Sequence, residues 1–273
     1  MREILTVGEQ LLRTTVLINI KKGISLISGT GFLFSSHQNI FLVTNKHVIE
    51  GAREIELKFY GQNGFIVIEN NFVASLQYDI AICELNDIPP SIKTLTPNQI
   101  PTRKQLENFD AIEDILFIGY PTGIYDTYNN SPIARKGITA TPIALDYEGK
   151  YQFLIDASIF PGSSGSPVFI IFQDAHPAKV SESACAESTQ VLLLGIIAEG
   201  YVFGNSIETC CSPPPFPVIT TRQMIDLGIV IKSSELIKLI NDMRNPYSLI
   251  KKPFNSSLLN EEKTGKKMKR PAE

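Results

Sequence analysis

The chain has 273 residues, of which 43% are hydrophobic and 19% charged, with a formal net charge of -3. That is globular composition, which excludes a fibrous or disordered chain and provides no global basic field for nucleic acid. The length suffices for one large domain or two small ones, each with a real core.

The opening residues, Met1-Arg2-Glu3-Ile4-Leu5, carry an acid where a signal peptide would be basic and then apolar. The run Val16 to Ile20 contains Asn19 and is too short for a membrane span. The expectation is a cytoplasmic protein with no membrane segment. Four cysteines fit that setting: Cys83 lies in an apolar run, Cys185 in a polar loop, and Cys210 and Cys211 are adjacent. None has metal-ligand spacing and there are three histidines, so no metal or other cofactor is expected. The cysteines read as free thiols, with a bridge from Cys185 to Cys210 or Cys211 as the alternative.

Residues 1–13 can form a short helix, and Thr14 to Ile20, rich in β-branched residues, reads as a strand. Gly29-Thr30-Gly31-Phe32-Leu33-Phe34 has no following Lys-Ser/Thr and opens no helix, so it reads as a strand with close backbone contacts and not as a phosphate loop. Ser35 to Asn39 is a hairpin loop that exposes His37. Ile40 to Thr44 is a buried strand, and His47 stands just past its end in a helical turn closed by Gly51. Ile55, Leu57 and Phe59 alternate with charged residues, as in a half-buried strand. Two more short strands follow at Gly64 to Ile68 and Phe72 to Leu76. Asp79 then opens the apolar strand Ile80 to Leu85, where it is either a turn cap or a paired carboxylate at the edge of the core.

Asp87 to Asp110 reads as a surface linker between two halves. Strands resume at Ile115 to Gly119, Gly137 to Ala140 and Tyr151 to Asp156. Ile159-Phe160-Pro161-Gly162-Ser163-Ser164-Gly165-Ser166-Pro167 is a tight turn, because proline fixes φ and glycine permits values other residues avoid. It holds a serine at the mouth of the core strand Val168 to Phe172, and its amides are free of ladder bonding, as an oxyanion hole requires. Gln173 to Gln190 reads as a polar insertion carrying an exposed His176, Val191 to Ala198 as an apolar strand, and 201–227 as a long site-shaping loop. Gly228 to Ile231 is a last strand. Ser233 caps a helix whose apolar face is Leu236, Ile237, Leu239 and Ile240. The basic tail 244–273 reads as disordered, with no nucleic-acid partner expected. Two runs of about six short strands and a closing helix indicate an all-β fold of two six-stranded antiparallel barrels. The expected boundaries are an N-terminal extension 1–28, barrel one at about 29–88, barrel two at about 112–232 and the helix 233–243.

A serine nucleophile needs a base, and the base needs an orienting acid. His47, Asp79 and Ser164 supply them, two from the front half and one from the back, which suits a cleft between barrels. An α/β-hydrolase is excluded, since it runs Ser, Asp, His through a G-x-S-x-G turn. At these residues the chain resembles the chymotrypsin-fold serine proteases, in particular their HtrA-type (DegP-like) and glutamyl-endopeptidase-like branches. Val43 to Ala52 is similar to the family's histidine stretch, Tyr78 to Ile82 to its aspartate stretch, and Asp156 to Pro167 to its nucleophile stretch. Ile118 to Gly123, Gly195 to Ala198 and Gly228 to Ile231 match an HtrA-type loop, the substrate-pairing strand and the closing strand; the resemblance runs from about Gly29 to Met243.

The resemblance implies a serine endopeptidase acting on protein or peptide substrates. Ser164 would attack the scissile carbonyl, His47 would carry the proton and Asp79 would hold the imidazole, while the amides of Gly162 and Ser164, with Ser163 beside them, would receive the oxyanion. It further implies a specificity pocket floored by Ser158 and Ile159 and walled by Ile197, Ala198 and Glu199. No acid lies at that floor, so a small or medium apolar residue is expected before the cut. Ser163 stands where trypsin has an aspartate, so activation by a freed N-terminal amine is not expected, and too few residues follow the helix for the PDZ domain of HtrA-type chains. The alternatives are a catalytically silent peptide-binding module of the same fold and an esterase.

Overall fold

The computed structural model describes residues 6–22, 25–173, 189–208 and 218–245. Thr6 forms a capping box with Glu9 and starts helix α1 (Val7–Leu12), which buries Leu11. Strand β1 (Thr15–Lys22) then lies between β2 (Ser25–Ser36) and β4 (Glu54–Phe59), antiparallel to both. The strand read from Thr14 to Ile20 is therefore an interior strand of the first sheet, which begins before Gly29. Its alternation explains this: Val16, Ile18 and Ile20 point into one apolar cluster with Leu33, Leu42, Ile55 and Leu57.

His37 and Gln38 have φ values of 51° and 70°, the two-residue reversal that matches strand twist, and they join β2 to β3 (Asn39–Thr44). Helix α2 (Lys46–Ile49) follows at once. With β5 (Ile66–Glu69), β6 (Val73–Ala74) and β7 (Ala81–Leu85), the sheet has the order β5-β4-β1-β2-β3-β7-β6. It is a curled, open sheet of seven strands and not a closed barrel of six, because its two edge strands are short and do not pair with each other. The segment read as a surface linker packs in part: Leu95 is buried and bridges to Phe34, before the short helix α3 (Arg103–Leu106).

The second half does close with six strands. Strands β8 (Asp114–Gly119), β9 (Ile133–Thr139), β10 (Gln152–Asp156), β11 (Pro167–Gln173), β12 (Thr189–Glu208) and β13 (Val218–Lys232) form a barrel in the order β10-β13-β12-β11-β8-β9. Residues 201–208 and 218–227, read as loop, are strand: β12 and β13 pair beyond the barrel as far as Glu208 and Val218. The structure is of the chymotrypsin type, all-β with a closing helix. That helix, α4 (Ser234–Arg244), buries Leu236, Leu239 and Ile240. Ser233 precedes it, but its hydroxyl makes no capping bond.

The two halves meet through one cluster. Phe32, Phe34, Phe41, Val43 and Ile82 of the sheet pack with Phe169, Leu193, Ile196 and Ile231 of the barrel and with α4. No helix among the described residues is long and apolar enough to cross a membrane. His176, Cys185, Cys210, Cys211 and the tail 246–273 lie outside the described residues.

Candidate active site

His47 and Asp79 are brought together by strand register. Strands β3 and β7 pair antiparallel with Thr44 opposite Ala81, so the residues just beyond β3 face those just before β7. Asn45 Nδ2 donates to the Asp79 carbonyl at 2.6 Å and holds that crossing. The Asp79 carboxylate then accepts twice from His47, from its backbone N–H at 3.0 Å and from ring Nδ1 at 2.5 Å. Burial pushes the Asp79 carboxyl up, but the ring and amide hydrogen bonds from His47, the nearby imidazole charge and the Lys46 amide outweigh it and hold the group below its ordinary value. A carboxylate only accepts, so Nδ1 carries the proton and Nε2 is left as the basic nitrogen. The imidazole is about half exposed, at 47%.

The turn before β11 is fixed peptide by peptide. Gly162 and Gly165 have φ of 88° and 89°. A side chain on Gly162 would come within 2.5 Å of the Tyr120 carbonyl. In a trans peptide the C=O and the following N–H point in opposite directions, so a bond to one aims the other. Thr122 N–H donates to Pro161 O at 2.5 Å, which turns the Gly162 N–H the other way. Ser166 N–H donates to Ser163 O at 3.0 Å, which does the same for the Ser164 N–H. Neither amide has an acceptor among the described residues. Ser163, expected beside them as a third donor, differs: its N–H is committed to Phe160 O at 3.0 Å, and its buried hydroxyl has no partner among the described residues.

Ser164 is half-buried, and its carbonyl accepts from Thr30 N–H of β2 at 3.0 Å. Thr44, at the end of the strand that leads to His47, donates to the Thr30 carbonyl at 2.7 Å. The serine turn is thus tied to the sheet that carries the His–Asp pair. The hydrogen bonds of His47 go to Asp79, and there is none between His47 and Ser164 among the described residues.

Around the expected specificity pocket, Ile159 is buried between two glycines. Side chains added at Gly200 and Gly228 would come within 3.2 and 2.8 Å of it. Ile197 and Ala198 are buried, and Glu199 is exposed beside a bulge in the β12–β13 pairing. The Ser158 carbonyl accepts from Arg135 of β9 at 2.5 Å, with the guanidinium over the rings of Phe160 and Phe117. Sequence reasoning missed Arg135. Its only trace there is a base at an inward position of a strand, opposite Phe117. Among the described residues no group of His, Cys, Asp or Glu could hold a metal.

The family model described as trypsin-like peptidase domain matches residues 29–170. No curated protein sequence matches the chain. Among solved structures it is similar to the HtrA-type protease AlgW with a tripeptide, at a TM-score of 0.54 and 16% identity over 89% of this chain and 65% of that one. A form of AlgW carrying one serine-to-alanine substitution, also with a tripeptide, gives 0.53 and 16% over 86% and 62%, and the serine endoprotease from Yersinia pestis 0.50 and 19% over 89% and 69%. The chain therefore spans roughly two thirds of their length, and at these identities they show the fold.

Proposed function

Because the chain belongs to the trypsin-like peptidase domain family, we propose that it is a serine endopeptidase in which His47, Asp79 and Ser164 carry out acyl transfer. The observation that carries this reading is the two-point clasp of His47 by the Asp79 carboxylate, on the sheet to which the Ser164 turn is tied. Ser164 Oγ attacks the scissile carbonyl as its proton passes to His47 Nε2. The C–N bond then breaks and the leaving amine takes that proton, giving an acyl-serine that water hydrolyses by the same route in reverse. Asp79 stays ionised throughout and stabilises the imidazolium. The unengaged amides of Gly162 and Ser164 receive the oxyanion, and one such donor supplies ~3 kcal/mol of barrier lowering. The missing Ser164–His47 bond suits a resting site, since such bonds often tighten only when substrate is bound.

Ile159 makes the proposed specificity pocket shallow, which favours a small or medium apolar residue before the cut, and the exposed Glu199 follows Ala198 on its proposed wall. The AlgW structures hold a tripeptide; an extended peptide laid along Ile197, Ala198 and Glu199 is the matching substrate here. A fluorophosphonate probe tests the chemistry: wild-type protein labels and Ser164→Ala does not, whereas a wild-type protein that never labels counts against it. The absent Ser164–His47 bond also favours a second reading, a silent peptide-binding module. That reading predicts a casein digest without Ser164-dependent products.

A further inference from the structure

Thr30 lies on the strand read from sequence only as a close backbone contact, and every polar atom it has is committed. Its N–H donates to Ser164 O at 3.0 Å, and its carbonyl accepts from Thr44 Oγ1 at 2.7 Å. Its hydroxyl donates to Gly162 O at 2.7 Å and accepts from Tyr120 N–H at 3.0 Å. The residue is fully buried, so no water competes for these bonds. One hydroxyl therefore joins three segments: β2, the serine turn and the turn Tyr120-Pro121-Thr122.

We infer that Thr30 is a positioning residue that, through the Tyr120 turn, aims the Gly162 N–H as an oxyanion donor, an inference that rests on the serine-peptidase reading above. Gly162 is held from both sides. The peptide before it is set by Thr122 N–H on Pro161 O, and the peptide after it by the Thr30 hydroxyl on Gly162 O. The same hydroxyl also anchors Tyr120, two residues before Thr122. Its direct bond sets the Gly162–Ser163 peptide, and it reaches the Gly162 N–H, which lies in the peptide before, through Tyr120 and the turn that presents Thr122 N–H to Pro161 O. Thr122 has φ of 50°, unusual for a threonine, so this turn does not keep its shape without support. The Thr30 N–H on Ser164 O sets the Ser164–Gly165 peptide, whose N–H donates to Ile197 O at 2.9 Å, and so holds the far side of the serine. Thr30 touches no reacting atom; it acts through the turn that holds the Gly162 peptide.

Thr30→Val keeps the shape and removes the hydroxyl, leaving Gly162 O and Tyr120 N–H unpaired. The expected result is a kcat about 10- to 100-fold lower on a short peptide amide, with KM within about threefold. Thr30→Ser, which keeps the hydroxyl, restores kcat to within about threefold of wild type. A peptide aldehyde, which forms an oxyanion on Ser164, loses affinity in parallel with kcat in the valine variant, while the corresponding peptide alcohol does not. If the valine variant does not fold, Thr30→Cys, a weak donor, takes its place, with a loss of at least about fivefold in kcat expected. Equal kcat in wild type and the hydroxyl-free variant, or a loss confined to KM, overturns the inference while leaving the peptidase reading intact. A wild-type protein that neither cleaves peptides nor labels with fluorophosphonate removes both.

Discussion

Replacing Asp79 with asparagine isolates the orienting role proposed for the carboxylate. In the wild type both carboxylate oxygens accept from His47, one from the backbone N–H at 3.0 Å and one from Nδ1 at 2.5 Å. Asparagine offers one acceptor and one donor in the same volume. If its oxygen keeps the backbone N–H, its NH2 faces Nδ1, and Nδ1 must then be the unprotonated nitrogen. The proton moves to Nε2, which can no longer take one from Ser164. A neutral amide also fails to stabilise the imidazolium that forms on attack. In a triad of this kind the combined loss is about 10⁴ in kcat, or ~5.5 kcal/mol at 1.36 kcal/mol per decade. Steady-state cleavage of a peptide amide measures it, with thermal unfolding run alongside to show that Asp79→Asn is folded. A folded Asp79→Asn enzyme within tenfold of wild-type kcat would falsify the assigned role, since tautomer control cannot be lost so cheaply.

Four further outcomes follow from the same contacts. Ile159→Ala removes the side chain packed between Gly200 and Gly228, so large apolar residues such as Leu or Phe are accepted before the cut, at about 2–5 kcal/mol in stability; an unchanged cleavage profile in a peptide library refutes the shallow-pocket assignment. Gly165→Ala forces a Cβ into the Thr30 carbonyl at a φ of 89°, so fluorophosphonate labelling is lost and stability falls by more than ~1 kcal/mol in denaturant melts. Arg135→Met releases the Ser158 carbonyl from a charged donor at a cost of about 2 kcal/mol, read as a lower denaturation midpoint together with slower cleavage. Asp79 has a lowered folded-state value, so its stabilisation is complete above the ordinary carboxylate range near ~4 and disappears as pH falls through the lowered value. Thermal melts from pH 7 down to 2 should therefore lose a component in wild type that Asp79→Asn lacks; parallel curves contradict it.

The strands, their alternation and the order of His47, Asp79 and Ser164 were legible because each leaves a local mark: a β-branched run, a period of two, or a glycine beside a proline. The site's joints were not. Nothing in Gly29-Thr30-Gly31 announces that one hydroxyl will reach Gly162, because that contact spans both halves of the fold. Arg135 reads as an ordinary strand base until β9 closes the barrel beside Ser158. The β12–β13 extension was masked by glycines and by Pro213-Pro214-Pro215, which signal loop even though the flanking residues pair. Ser163 shows the same limit at shorter range, since membership of the turn did not reveal which amide the turn itself consumes.

The proposed chemistry divides along the same line as the fold. The proposed acid–base pair is set within the open sheet by the register of β3 against β7, and its contact lies wholly within that sheet. The amides proposed to receive the oxyanion are set on the barrel side by bonds to Pro161 O and Ser163 O. Each half can hold its groups correctly and still be useless, because attack requires the two sets to be in register across the cleft. Apolar packing between the halves is strong but non-directional, so it presses them together without fixing a sub-ångström offset. Directional bonds are needed for that. Thr44 to Thr30, and Thr30 to Ser164 and Gly162, form such a chain, buried where water cannot substitute for it. Alignment at the cleft therefore depends on a few buried polar atoms, and activity should respond to their loss more sharply than stability does.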